Sequence, residues 1–321
     1  MNPTTLIVTE AGPELVDTQP EHAGEGDTLL ELSHSSVNYK DAMALDGGYG
    51  ILRHLPLVPG IDAVGTVVES PTLAAGTLVS VNGFGIGERR HGGFTQRMRI
   101  DASKVTEVPT LFDAPTTAAI GTAGYTAALC VAGLERALYP TEGTRGPILV
   151  TGATGGVGST AVQLLTARGF EVHALTGRVA EHGEWLRSLG AAEVIDRATF
   201  SGEGEQSYAG VVDTVGSTVL ANALTRLEWG GVAAACGRAA GHDLPTTVLP
   251  FILRGVQLIG INSVDAPVFL REEAWALLAE SLDVKKLHES VRTVQPEGAI
   301  EVGRALLEGR WHGRTVVEVS P

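Results

Sequence analysis

The sequence predicts an α/β protein that combines a doubly wound parallel sheet with a second, mostly β domain. Strand-like and helix-like segments alternate from Pro147 onward: PILVTGA, TAVQLLTARG, EVHALTG, EHGEWLRSLG, EVIDR, AGVVDTVG, VLANALTRLE and GGVAAACG. This spacing is that of βαβ units, whose helices cover both faces of a parallel sheet. The runs PILV and GVAAAC are continuously apolar, as strands buried on both faces are. At 321 residues the chain also exceeds what one hydrophobic core usually serves, so two domains are expected.

Taken in order, the chain from Leu6 to about Val108 breaks into short β-like runs between turn residues. TLLELSHSSVN, AVGTVVES, GTLVSVNGFG and TQRMRIDASKVTEV read as strands of a partly open barrel. After Pro115 the character changes, because TTAAIGTAGYTAALCVAGLERAL has apolar residues at helical spacing; a helix leads into the next domain. Beyond the alternating segments, PFILRGVQLIGINS has strand character, and TVVEVS forms a last strand after Gly313. No internal repeat or low-complexity linker interrupts the pattern.

Composition narrows the function. A formal charge of −14 repels a polyphosphate backbone, and no basic stripe relieves it, so nucleic acid is not an expected partner. Hydrophobic residues make up 44% and charged residues 19%, the balance of a soluble globular protein. The 41 Gly are roughly 13% of the chain against a usual value of about 7%, which points to tight turns and close backbone approaches. Cys130 and Cys236 both sit in apolar runs and imply no disulfide framework. MNPTTLIVTEAG lacks a basic stretch followed by a sustained apolar one, and no segment approaches about 18 uninterrupted apolar residues. A cytoplasmic location without membrane attachment is expected.

The segment Ile148 to Gly158 reads ILVTGATGGVG, a strand entering a Gly-rich turn, with a helical pattern from Ser159. Gly152, Gly155, Gly156 and Gly158 permit the tight turn, admit a pyrophosphate and let the helix pack close to the strand. Thr154 and Val157 lie between them, and the helix N-terminus faces the phosphates. This is a Rossmann-type dinucleotide site. The second strand, EVHALTGR, ends in Thr176, Gly177 and Arg178, where an NAD enzyme places an acid against the ribose hydroxyls. An Arg there can bind a 2′-phosphate, so NADPH is the expected cofactor. The alternative, a solvated Arg178 with Glu181 on the ribose, stays open. Val215 and Gly216, then Cys236 and Gly237, at the ends of the fourth and fifth strand patterns, complete the candidate cofactor set.

Five motifs carry a resemblance: VNYKDAM (37–43), LVPGIDAVGTVV (57–68), IGTAGYTA (120–127), VTGATGGVGSTAV (150–162) and LPTTVLPFILRGVQLIGINSV (244–264). Together they resemble the medium-chain dehydrogenase/reductase superfamily. NYKD, TGR and LPTTVLPFILR resemble its acrylyl-CoA reductase and quinone oxidoreductase branch. The resemblance implies a discontinuous GroES-like catalytic domain, 1–119 and 264–321, around an NADPH-binding Rossmann domain, 120–263. It implies a cleft between them for nicotinamide and substrate, and a homodimer, because FILRGVQLIGI lies where the superfamily extends its sheet across a twofold axis. Zinc members carry a Cys at or near Asn38 and a Gly-His-Glu where this chain has Gly60, Ile61 and Asp62, so no metal is expected. Reduction of a conjugated alkene needs no such Lewis acid, since hydrogen-bond donors can hold the enolate.

The resemblance also marks candidate residues. Asn38, Tyr39, Lys40 and Asp41 occupy the superfamily's catalytic loop; Tyr39 is either a proton donor or a ring packed under the cofactor. Tyr49, in DGGYG, is a rival donor. Thr122 and Tyr125 resemble a helix start that contacts nicotinamide and phosphate, with packing equally open for Tyr125. Asn262 and Ser263 stand near the carboxamide. Arg89, Arg90 and His91 form a basic run that either meets coenzyme A phosphates or is merely solvated, and Arg310 and Arg314 either supplement Arg178 or hold surface or domain contacts. The expected substrate is an enoyl-CoA, acrylyl-CoA first; a quinone or enone reductase and a non-catalytic NADPH-binding sensor or structural protein are the alternatives.

Overall fold

The structure, a computed structural model, describes residues 4–47, 50–138 and 146–320. The elements begin with β1 (Thr4–Thr9), β2 (Gly12–Asp17), β3 (Thr28–Ser36), α1 (Tyr39–Leu45), β4 (Asp62–Glu69), β5 (Leu78–Asn82), β6 (Arg97–Ile100) and β7 (Thr106–Glu107). There follow α2 (Ala114–Ala137), β8 (Ile148–Thr151), α3 (Gly156–Ala167), β9 (Val172–Thr176), α4 (Val179–Leu189), β10 (Glu193–Asp196), β11 (Tyr208–Asp213), α5 (Ser217–Thr225) and β12 (Leu227–Ala235). The last are α6 (Leu249–Arg254), β13 (Gln257–Gly260), α7 (Val268–Ser281), α8 (Val284–His288), β14 (Val291–Val294), α9 (Gly298–Leu307) and β15 (Arg314–Glu318). They form two compact units: Met1–Thr122 with Val264–Pro267 and Leu287–Pro321, and Ala123–Ser263 with Val268–Lys286.

In the first unit, β14, β15, β3, β4, β5 and β7 lie side by side in that order, β6 adds to β3, and β1 and β2 form a hairpin. All these pairs are antiparallel except β14 with β15. Leu30, Leu32, Phe94, Met98 and Ile100 form a core with Val302 of α9, and full burial of such a side chain contributes about 1.5–3 kcal/mol. Gly303 lets α9 approach α1 closely: a Cβ there would lie 3.3 Å from the Cα of Ala42.

The second unit is a six-stranded parallel sheet in the order β10-β9-β8-β11-β12-β13. Numbered within the unit this is 3-2-1-4-5-6, with the chain reversing direction of growth between β8 and β11, the point where such sheets bind ligands. Every residue of β8 and β11 is buried, as the apolar run of a central parallel strand requires.

Three segments differ from the sequence expectation. PFILR is helical: a Pro in the first turn starts α6, and Gly255 in the left-handed region (φ 62°) ends it, so the strand begins only at Gln257. The helix after Pro115 is two helices across a break at Gly121 (φ 47°, ψ −159°). Val268–Lys286 belongs to the second unit, because α7 packs on α3 and buries Ala274, Trp275, Leu277 and Leu278. By length and composition α2 would suffice to cross a membrane, yet 94% of its most apolar window is buried within the fold, as in a core helix.

Candidate functional site

The turn after β8 is built by close approaches that only glycine permits. A Cβ on Gly158 would lie 2.5 Å from the carbonyl oxygen of Gly152, so α3 is pressed onto the turn that precedes it. Gly155 precedes α3 without any side-chain cap, so the first-turn amides of Gly156, Val157 and Gly158 are free of a competing acceptor from that position. Thr151 Oγ1 donates to Asp213 Oδ1 at 2.7 Å and accepts from Thr214 N at 3.0 Å, tying the ends of β8 and β11 together. Burial raises the Asp213 carboxyl, while Thr151 and the Gly216 amide (2.8 Å to Oδ2) oppose the shift. At the end of β12, the amide of Cys236 bonds Asp213 O at 2.9 Å, and Gly237 is packed against Thr214 with no room for a side chain. Val215, Gly216, Cys236 and Gly237 are thereby held beside the Gly-rich turn.

The end of β9 forms the second part of this site. Arg178 Nη2 donates to Thr154 Oγ1 at 3.2 Å, its amide donates to Thr176 Oγ1 at 3.2 Å, and the two hydroxyls are 3.4 Å apart. Gly177 lies under a second cation: a Cβ there would meet Arg197 Nη2 at 3.0 Å. Arg197 opens a short turn after β10 in which Asp196 Oδ1 accepts the amide of Ala198 at 2.9 Å. Sequence reasoning missed Arg197, although its place just after the third strand of a βαβ series was a usable signal. Past β13, Asn262 is exposed and the carbonyl of Ser263 accepts Arg271 Nη2 at 3.2 Å. Tyr125 is fully buried, its ring 5.1 Å from the Arg271 guanidinium; burial pushes its phenol up to about 12. Among the described residues its hydroxyl has no partner, which fits the packing reading.

In the first unit, four segments distant in sequence meet around Asp62, which is completely buried. Its Oδ1 accepts the amide and hydroxyl of Thr122 at 2.8 and 2.6 Å; its Oδ2 accepts Ser36 Oγ at 2.5 Å and Asn38 Nδ2 at 2.8 Å. Arg314 donates to Ala119 O, Asn38 Oδ1 and Ser36 Oγ at 2.7, 3.0 and 2.8 Å. Gly121 is required here, because a Cβ would lie 2.5 Å from Asp62 Oδ2 and 2.7 Å from Arg314 Nη2. Arg314 is thus a buried structural cation and not a surface residue, whereas the exposed Arg310 pairs with Glu308.

Asn38 caps α1, and the Asp41 side chain closes the capping box by accepting Asn38 N at 2.8 Å. The other oxygen of Asp41 accepts the amides of Gly60 and Ile61 at 3.1 and 2.9 Å. Burial, with repulsion from Asp62, raises Asp41 to about 7 against these donors. Asn38 and Asp41 therefore position α1. Lys40 Nζ bonds Glu88 Oε1 at 2.6 Å. Tyr39, 48% exposed, presents its side chain to solvent beside the ion-paired Lys40. Tyr49 lies outside the described residues. Among the described residues no three or more His, Cys, Asp and Glu side chains gather as a metal set.

Residues 24–110 match the family described as the alcohol dehydrogenase GroES-like domain, and residues 156–280 the zinc-binding dehydrogenase family. AcuI of Escherichia coli K12, named as a probable acrylyl-CoA reductase, is 43% identical over 302 residues, covering 92% of each chain. The chain belongs to the medium-chain dehydrogenase/reductase superfamily. Within this superfamily, the acrylyl-CoA reductase AcuI of Ruegeria pomeroyi is 39% identical over 92% of this chain and 91% of its own. YhfP of Bacillus subtilis, named for quinone oxidoreduction, is 39% identical over 91% of this chain and 90% of its own. The YhdH oxidoreductase of Salmonella enterica, solved in complex with NADP, superposes with a TM-score of 0.93 at 39% identity and covers 100% of both chains. The YhfP structure, solved with NAD bound, gives 0.91 at 36% identity over 98% of both.

Proposed function

We propose that this chain is an NADPH-dependent, zinc-independent reductase of the carbon–carbon double bond of a short enoyl thioester, acrylyl-CoA to propionyl-CoA. One observation carries the cofactor: the end of β9 holds Thr154, Thr176 and Arg178 in contact, with Arg197 over Gly177. Two guanidiniums at this strand end, with no acid on β9 itself and Asp196 of the neighbouring β10 turned to the Ala198 amide, fit a 2′-phosphate, and the glycine cradle at β8 with the uncapped start of α3 fits the pyrophosphate. Kinship with AcuI proteins supports the thioester as acceptor.

When bound, NADPH supplies a hydride for the β-carbon, and a proton then reaches the α-carbon. The chain's part is to stabilise charge on the thioester oxygen and to deliver that proton. Tyr39, exposed at the first position of α1 and held there by the Asn38–Asp41 box, is the proposed donor. Asn38 and Asp41 act through it as positioning residues. The first unit then has the catalytic role and the second the cofactor role. Parallel measurement of NADPH oxidation with acrylyl-CoA, crotonyl-CoA and a quinone tests the reading. The largest kcat/KM is expected with acrylyl-CoA, and a quinone turned over faster would replace it with the quinone reductase alternative.

The assembly belongs to the same reading. β13 is the edge of the six-stranded sheet, and α6 beside it leaves Ile252 68% and Leu253 66% exposed. A second copy covering this edge would satisfy its open hydrogen bonds and its apolar side chains, so we assign a homodimer, to be checked by light scattering. Two unbridged cysteines fit a reducing, cytoplasmic setting.

A further inference from the structure

The basic run Arg89–Arg90–His91 takes no part in the site described above. It borders a cavity of about 580 Å³ within the first unit, lined also by Arg99, Glu21 and Glu25. A charge run in a Gly-rich loop is usually a solvated face, but this loop is internally fixed. The amides of Arg89 and Arg90 both donate to Gly85 O, at 2.9 and 3.0 Å, and Gly87 N donates to Arg90 O at 2.8 Å. The Arg89 side chain lies across Gly85, which at φ 78° has no Cβ to obstruct it. His91 Nδ1 accepts the Val58 amide at 3.0 Å, so the neutral ring carries its hydrogen on Nε2. The loop is also tied to the candidate catalytic helix, because Glu88 forms the ion pair with Lys40, the neighbour of Tyr39.

Among the described residues none of the three guanidiniums is held in a short ion pair. Among the described residues the one carboxylate within ion-pair distance of any of them is Glu69, 3.7 Å from Arg99 Nη2 and itself 69% exposed. Three arginines line the cavity together with Glu21 and Glu25, a local gathering of cations in a protein whose formal charge is −14; Glu69 stands beside Arg99, and Asp101 lies within electrostatic range of Arg90. A roomy cavity lined by three arginines, with the Arg89 side chain laid across Gly85, suits a phosphate ester in charge and in hydrogen-bond donors. We propose that this cavity is a phosphate subsite that takes the phosphorylated nucleotide end of the coenzyme A thioester, held by Arg89, Arg90 and Arg99. This assignment rests on the enoyl-thioester reading for its ligand, and the Lys40–Glu88 tie puts the subsite's loop against the helix that presents Tyr39.

The test is calorimetric titration of full-length protein, saturated with NADP⁺ to fill the cofactor site, with 3′,5′-ADP, inorganic phosphate and pantetheine as separate probes. Wild type is expected to bind 3′,5′-ADP, and the Arg89→Ala/Arg90→Ala variant to bind it at least about tenfold more weakly. Arg99→Gln, on a different element, is expected to weaken it as well. Equal binding by wild type and both variants overturns the subsite, and inorganic phosphate binding as tightly as 3′,5′-ADP overturns its nucleotide assignment. In kinetics, wild type is expected to show a KM about tenfold or more lower for acrylyl-CoA than for acrylyl-pantetheine, and the double variant to close that gap. Both thioesters reduced with one KM would remove the subsite and leave the reductase reading intact. Arginine-dependent 3′,5′-ADP binding without thioester reduction would do the reverse.

Discussion

Asp62 Oδ2 and Arg314 Nη2 stand 3.8 Å apart with Ser36 Oγ hydrogen-bonded to both, at 2.5 and 2.8 Å. Both charged side chains are almost wholly buried, at 0% and 4% exposure. Burial alone would lower the Arg314 pKa, and Asp62 and Asp41 oppose that effect. The pair and its hydrogen bonds join the strand before α1, the start of β4, the break at Gly121 and the start of β15.

Removing Arg314 takes away the cation facing the buried Asp62 and leaves that carboxyl group to neutral hydrogen-bond donors alone. Arg314→Met is therefore expected to lower the unfolding free energy by about 3–5 kcal/mol in urea titrations. Arg314→Lys should recover only part of the loss, since an ammonium cannot reach Ala119, Asn38 and Ser36 together. A variant as stable as wild type would show that the network is dispensable.

Stability should also fall in mild acid through His91. Burial first, then His22 and His54, lower its pKa below the ordinary 6.5, and the Val58 amide occupies the Nδ1 lone pair of the neutral ring. The folded chain thus holds the ring neutral while the unfolded chain protonates near 6.5, so the contribution is present above 6.5 and is lost as pH falls through the lower folded value. Asp41, raised to about 7, acts in the opposite sense between its ordinary range and that value, which makes a difference measurement necessary. Between about pH 7.5 and 5, the stability of wild type relative to His91→Gln should fall; parallel pH profiles would show that His91 contributes nothing.

At the end of β9, Arg178→Ala and Arg197→Ala should each weaken NADPH binding about 10- to 100-fold, the range of a charge-assisted bond, with little change for NADH. Fluorescence titration with both cofactors measures this. Unaltered NADPH affinity in both variants would return the ribose to Glu181.

Tyr39→Phe should lower kcat by about 100- to 1000-fold and change KM far less, because the bond it removes matters in the transition state. Should Tyr49→Phe lose turnover while Tyr39→Phe keeps it, the donor is Tyr49 and Tyr39 is a packing residue.

The alternating strands and helices from β8 to β12, and the glycine turn between β8 and α3, were legible because local periodicity and turn chemistry specify them. PFILR misled: its apolar run does not distinguish a strand from a short helix, and the Gly255 cap that settles the matter depends on backbone angle. The Asp62 network was illegible for another reason. Arg314 and Asn38 are 276 residues apart, and nothing local to either announces the partner. Arg197 lies between these cases, readable as a basic residue after a strand but not as the neighbour of Gly177.

A hydride that passes from NADPH to carbon carries its label to the β-carbon. Acrylyl-CoA is reduced with NADPH carrying deuterium at both C4 positions, and the thioester product is analysed by mass spectrometry and ¹H NMR. One deuterium at the β-carbon of propionyl-CoA is predicted, with the α-hydrogen drawn from solvent; a product without deuterium at the β-carbon, or NADPH oxidised with no propionyl-CoA formed, would contradict it.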